Sequence, residues 1–253
     1  MPFFKDHLLS GITVAEVDRY RQAKVRTGKL SATSINKTIT RLGQILDLAT
    51  ELIDRNPVRV NPRRRKLRQR RPGRPYLDRA DQIAALLDAA GELDAEARPD
   101  RQGTARRALL ATLAFAGPRL GEALALRWRD VDLAAERMRV GRSKTDAGVR
   151  TIELLPALRD ELTAWKARTR HGRPSELVFG TENGREQSPS HVRNRILAKA
   201  VKRANERLEA DDRAPLPTGL TPHSLRRTFA SALFGSGASC RSLWPSSGTP
   251  TRR

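Results

Sequence analysis

Cysteine occurs once in the 253 residues, at Cys240, so neither an internal disulfide framework nor a cysteine-rich metal site can be built from this sequence. No run of about 18 apolar residues occurs, and no membrane-spanning helix is expected. The opening stretch MPFFKDHLLSGITVAEV lacks a basic segment followed by an apolar core, so no secretory signal is expected and the chain reads as intracellular. Glycine-rich phosphate loops, internal repeats and paired-carboxylate metal sites are also missing, and no cofactor or metal is expected. Tyrosine is scarce, at Tyr20 and Tyr76 alone.

Positive charge is abundant. Formal net charge is +21, and of 49 basic residues 40 are arginine and 9 lysine. A polyanionic partner accounts for this balance economically, because fixed cations release the counterions condensed on a phosphate backbone. Arginine also makes two-point contacts with phosphates and base edges that lysine cannot. Two plainer readings stand beside this: a charged face that only keeps the chain soluble, and a GC-rich genome favouring arginine codons. Hydrophobic residues make up 38%, enough for a buried core.

Apolar periodicity divides the chain. Residues 1–57 form a small helical block, with one helix over VAEVDRYRQAKVR from Val14. A longer one is capped by Ser31 or Thr33, carries Ile35, Ile39, Leu42, Ile45, Leu46, Ala49, Leu52 and Ile53 on one face, and ends at Asn56-Pro57. Two helices are thin for an independent domain, so a preceding piece is expected. Residues 58–75 are dense in arginine and proline, the composition of an extended basic linker. It either lies along a nucleic-acid backbone, through Arg63, Arg64, Arg65, Lys66, Arg68, Arg70 and Arg71, or is a tether that touches nothing in particular.

Residues 76–239 are the main domain, mostly helical with a small sheet. A helix follows Asp78, its expected cap, and RRALLATLAFAG from Arg106 is a helix buried on most sides. MRVGRSKTDAGVRTIELLP alternates as two short strands about a turn at Asp146-Ala147-Gly148. SHVRNRILAKAVKRANERLEA is a helix whose basic face includes Arg193 and Arg195, further candidates for contact with DNA. The fold class expected is mainly α with a small β-sheet.

Four basic residues stand out by position. Arg119 follows the buried helix in AGPRLGEALALRW, with Glu122 three residues on, close enough to restrain it. Lys144 sits on the predicted hairpin. His223 and Arg226, in TPHSLRRTFAS, share a helix face at a spacing of three. Converging, they would clamp a pentavalent phosphate: arginines on non-bridging oxygens, lysine or histidine giving a proton to the leaving oxygen. Singly each has a plainer role, as a surface charge, a solvated hairpin lysine or a helix cap.

Order and context change that weighting. AGPRLGEALALRWRDVD resembles the first-arginine motif of the tyrosine recombinases, the phage integrase family; SKTDAGVRTIEL is similar to that family's lysine hairpin, and TPHSLRRTFASAL to its H-x-x-R motif. The resemblance reaches Ser239 and covers the helical N-terminal block, similar to the family's core-binding domain. Pro118 departs from the apolar residue usual before the arginine and is expected to distort that turn. The resemblance implies a clamp around double-stranded DNA, cleavage by a tyrosine hydroxyl through a 3'-phosphotyrosine, and religation without a cofactor. It implies that Arg119 and Arg226 hold the scissile phosphate, that Lys144 acts as acid to the 5'-hydroxyl and that His223 assists proton transfer. It also implies, as partners, full-length recombinase subunits in a synaptic assembly, and a prokaryotic, cytoplasmic, nucleoid-associated setting.

The last fourteen residues, CRSLWPSSGTPTRR, fit no part of that pattern, and disorder is expected there. A second histidine or tryptophan and then a tyrosine should come after H-x-x-R; neither is found, and Trp244 lies outside any helical pattern. Back-translated with permitted, mostly GC-ending codons and read two bases on, this stretch gives PVPMAQLGHTDPKM, which carries the family's L-G-H. The leading reading is a frameshifted, C-terminally truncated and inactive member, with Leu225, Phe229, Leu233 and Phe234 expected to be left exposed. A non-catalytic DNA-binding regulator competing at recombination sites is the alternative, and a general basic nucleic-acid-binding protein a third.

Overall fold

The chain folds as two compact units, Met1–Gly73 and Arg74–Arg253. The structure, a computed structural model, describes residues 2–49, 53, 55–60, 66–68, 73–97, 105–141 and 149–235. The turn at Asp146-Ala147-Gly148 and the tail from Cys240 lie outside the described residues.

In the first unit, α1 (Val14–Arg26) begins where Thr13 Oγ1 accepts the Glu16 N–H at 3.4 Å. The longer α2 (Ala32–Asp47) begins at Ser31, which accepts the Ser34 N–H at 3.2 Å, so Ser31 rather than Thr33 is the cap. Val17 and Tyr20 bury themselves against Ile35, Ile39, Leu42 and Leu46. Two features differ from the periodic reading. Ile45 is 55% exposed, and α2 stops at Asp47 instead of running to Asn56. Asn56 supplies the reason. Its Nδ2 donates to Gly43 O at 2.8 Å and to Asp47 Oδ1 at 2.6 Å, so the chain turns back along α2. Gly43 allows the approach, since a Cβ there would lie 2.9 Å from Val58. The described part of the basic stretch is also tied to α2: Asn36 Nδ2 donates to Leu67 O at 2.9 Å and its Oδ1 accepts the Leu67 N–H at 2.8 Å.

The second unit is built around α4 (Arg106–Phe115), whose alanine and leucine side chains are buried from Ala108 to Ala114. α3 (Ala80–Ala95), α6 (Pro156–Arg168) and α8 (Pro222–Gly235) pack around it, and α7 (Ala198–Ala210) packs against α3. Asp78 is not the α3 cap; that position falls to Arg79, and Gln82 Oε1 accepts the Asp78 N–H at 3.2 Å. The start of α4 is capped from a neighbour: Asp94, on α3, accepts the N–H groups of Arg106 and Arg107 at 3.2 and 3.0 Å.

After the short α5 (Leu120–Leu124), β1 (Val131–Asp132), β2 (Arg137–Val140) and β3 (Arg150–Glu153) form an antiparallel sheet in the order β1-β2-β3. Met138 faces Ile152 and Val140 faces Arg150 in its register. Trp165 and Trp128 are buried and donate to Val178 O and His171 O, each at 2.7 Å. α7 is approached through one helical turn, Pro189–His191, and a π segment, Val192–Leu197, so the predicted helix is there but changes its winding. Leu225 is fully buried and Phe229 and Leu233 partly so, contrary to the exposure expected of them, because α8 lies on α4; the Phe234 side chain lies outside the described residues. The fold is mainly helical with a small sheet, and among the described residues no helix is long and apolar enough to cross a membrane.

Candidate functional site

Three of the four predicted site residues meet at the turn between α4 and α5. Gly117 shapes this turn, at φ +58°, and a Cβ there would lie 2.3 Å from the Phe229 ring of α8. Glycine is required on both counts. Pro118 is buried without disturbing its successor, because Arg119 takes the extended N-cap conformation of α5 at φ −66°, ψ 149°. Glu122 closes a capping box on it: Oε2 accepts the Arg119 N–H at 2.8 Å and Oε1 the Arg119 Nη1 at 2.9 Å.

α8 brings the other two. Thr221 and Ser224 exchange hydrogen bonds at its start, so His223 is not needed as a cap. Arg226 shares a stripe with Leu225 and Phe229, is half-buried, and donates through Nη1 to Gly117 O. Burial, then the neighbouring cations Arg150 and Arg119, lowers its pKa against the opposing pull of Glu122. His223 is exposed, and its imidazole is held below its ordinary value by partial desolvation and then by Arg227, Arg226, Arg74 and Arg119. Lys144 lies outside the described residues.

A fifth residue, Arg150, was not singled out by spacing. It sits at the start of β3, its side chain 17% exposed, with Nη2 2.7 Å from Glu122 Oε2. Glu122 therefore serves two arginines. Burial works against its charge, but hydrogen bonds from Arg150 and from the Arg119 backbone and side chain prevail and hold it at about 2. A signal for Arg150 does exist in the sequence: it shares parity with Ile152 and Leu154, on the inward phase of the strand.

The remaining candidates are spread over both units. Arg193 and Arg195 are exposed on the π segment, with Asn194 between them, while Val192, Ile196 and Leu197 point inward. In the first unit Lys66 and Arg68 are exposed on either side of Leu67, and Arg63, Arg64, Arg65, Arg70 and Arg71 lie outside the described residues. Among the described residues no group of three or more histidine, cysteine, aspartate or glutamate side chains is arranged to hold a metal ion.

A cluster of arginines anchored by one carboxylate and flanked by a neutral imidazole can bind an oxyanion and steady growing negative charge on it. Fold and cluster together define a helical unit with a hairpin sheet that carries an arginine cluster around one carboxylate. The chain belongs to the phage integrase family, the tyrosine recombinases, whose sequence profile matches residues 78–246. The tyrosine recombinase XerC of Rhodospirillum centenum is 31% identical over 169 residues, covering 65% of this chain and 44% of that protein. XerC of Azotobacter vinelandii is 30% identical over 165 residues, covering 65% and 48%. The chain thus spans about half the length of these curated relatives. In fold it is similar to the Tn1549 transposon integrase solved with circular intermediate DNA, at TM-score 0.72 and 17% identity over 96% of this chain and 80% of that one. It is also similar to a lambda integrase dimer bound to a COC' core site, at TM-score 0.66 and 19% identity, covering 96% and 63%.

Proposed function

We propose that this chain is part of a site-specific DNA recombinase of the tyrosine type and that its arginine cluster holds the scissile phosphate. The observation that carries the reading is the meeting of Arg119, His223 and Arg226 around the Gly117 turn, with Glu122 fixing the first arginine. Arg119 and Arg226 neutralise the non-bridging oxygens as negative charge accumulates in transfer. His223, neutral at pH 7, can give or take a hydrogen bond at the phosphate, and Lys144 serves as acid to the departing 5'-oxygen. Double-stranded DNA is the partner, gripped outside the cluster by the basic residues of both units, in a nucleoid-associated, cytoplasmic setting.

Neither tyrosine of the chain suits the role of nucleophile: Tyr20 is 2% exposed in the core of the first unit, and Tyr76 precedes the first motif. The family profile runs to residue 246, seven residues into CRSLWPSSGTPTRR. A tyrosine supplied from outside these 253 residues, or by another recombinase subunit in a synaptic assembly, would complete the cleavage chemistry. A second reading, a regulator that occupies recombination sites without cutting them, rests on the same basic residues and on both tyrosines lying outside the arginine cluster's motifs. The test incubates the chain with a pool of nicked duplexes and resolves the products on native and denaturing gels. Duplex complexes without a covalent adduct are expected. An adduct formed by the chain alone would place a nucleophile within it, and failure to bind duplex would end the DNA reading.

A further inference from the structure

We propose that Arg150 is a positioning residue of the arginine cluster: from the inward face of β3 it locks Glu122, and through Glu122 it sets the orientation of Arg119. The proposal rests on the reading of this cluster as a phosphate site.

An arginine on the core side of a strand needs a reason. β2 places Met138 and Val140 inward, and the register sets Ile152 opposite Met138 and Arg150 opposite Val140. Arg150 thus occupies a position whose neighbours are apolar, and its charge is met by Glu122 of α5. The bonding is reciprocal. Glu122 Oε1 accepts from Arg119 Nη1 at 2.9 Å and Arg150 Nη1 at 3.4 Å; Oε2 accepts from the Arg119 N–H at 2.8 Å and Arg150 Nη2 at 2.7 Å. Each carboxylate oxygen is held by both arginines, so the plane of the carboxylate is fixed.

Without Arg150 the Arg119–Glu122 pair would be an i,i+3 pair whose arginine is 62% exposed. Pairs of that kind contribute little and reorient readily in water. Arg150 supplies the buried half of the lock. Lysine would not replace it, since a single ammonium cannot span both oxygens as the guanidinium fork does. The link also runs between separate elements: β3 carries Arg150, and α5 carries Glu122 with Arg119 at its N-cap. Arg150 opens β3, so formation of the β2–β3 pairing and orientation of Arg119 become one event.

The experiment compares the full chain with Arg150→Gln and Arg150→Lys. Four readouts are taken: circular dichroism, the Glu122 carboxyl titration by 13C NMR, the Arg119 Nε–H signal by 15N NMR, and the affinity for inorganic sulfate, which does not titrate near neutrality. In Arg150→Gln the Glu122 midpoint is expected to rise from about 2 toward the ordinary 4.5 and the Arg119 signal to broaden. Sulfate binding should weaken about tenfold, the scale of one charge-assisted contact. Arg150→Lys should fall between, at about threefold, because charge is kept but one point of contact is lost.

Sulfate affinity and Arg119 signal unchanged in Arg150→Gln would make Arg150 a brace of the fold and overturn the proposal. Wild-type behaviour of Arg150→Lys would leave charge alone as its contribution and overturn it equally. Should Arg150→Gln not fold, Arg150→Lys decides by the same criteria. Should the wild-type chain bind no sulfate, the phosphate reading fails while the Glu122 and Arg119 signals still judge the lock.

Discussion

Gly117 and Glu122 hold the first arginine from opposite sides, one by being small and the other by being charged. At Gly117 a left-handed backbone coincides with contact to the Phe229 ring. Gly117→Ala adds strain and a clash together, and destabilisation of about 2–4 kcal/mol is expected. Urea unfolding measures it, and a loss below about 0.5 kcal/mol, the range of ordinary surface changes, would show that the turn simply relaxes. Glu122 yields a prediction in pH. Its carboxyl is held at about 2 in the fold against 4.5 ordinarily, so its stabilising effect is complete above 4.5 and fades as pH falls toward 2. Glu122→Gln removes a group that titrates in that window. Between pH 4.5 and 2 the urea midpoint of the wild type should fall more steeply than that of the variant; parallel curves would mean Glu122 is not held by its two arginines.

Elements were legible in the sequence where the pattern is local, and obscured where a distant group decides. α1, α4 and the two hairpin strands emerge from apolar spacing, and Arg119, His223 and Arg226 from motif order, because neighbours on one helix or turn dictate them. The end of α2 does not, since it is set by Asn56 reaching nine residues back to Asp47 and thirteen back to Gly43. The capping of α4 does not either: Ala105 offers no side-chain cap, and Asp94 of α3 supplies two acceptor oxygens instead. Arg150 belongs to the same group. Strand parity marks it as inward, but only the meeting of β3 with α5 shows what it meets. The basic stretch read as an extended linker is fastened at Leu67 by one amide, Asn36, which satisfies both a donor and an acceptor of the backbone. A long-range side-chain to backbone bond leaves no periodic trace, which is why it escapes a reading by spacing.

Charge is a property of the whole molecule, and here it is carried by both units. Lys66 and Arg68 are exposed in the first, Arg193 and Arg195 in the second, within a total of +21. The arginines of the cluster differ from these in being committed: Arg226 is tied to Gly117 O and Arg119 to Glu122. On the proposed function, the exposed set governs how strongly DNA is held, while the cluster governs what is done to one phosphate. Counterion release separates the two contributions. Each phosphate neutralised on duplex DNA contributes about −0.9 to the slope of log affinity against log salt. Changing both Arg193 and Arg195 to alanine should flatten that slope by about two and weaken binding to all duplexes alike. Fluorescence anisotropy with a labelled duplex, titrated at several salt concentrations, gives the slope directly. An unaltered slope would remove the π segment from the interface, and a loss confined to some sequences would mean these arginines read base edges instead of phosphates.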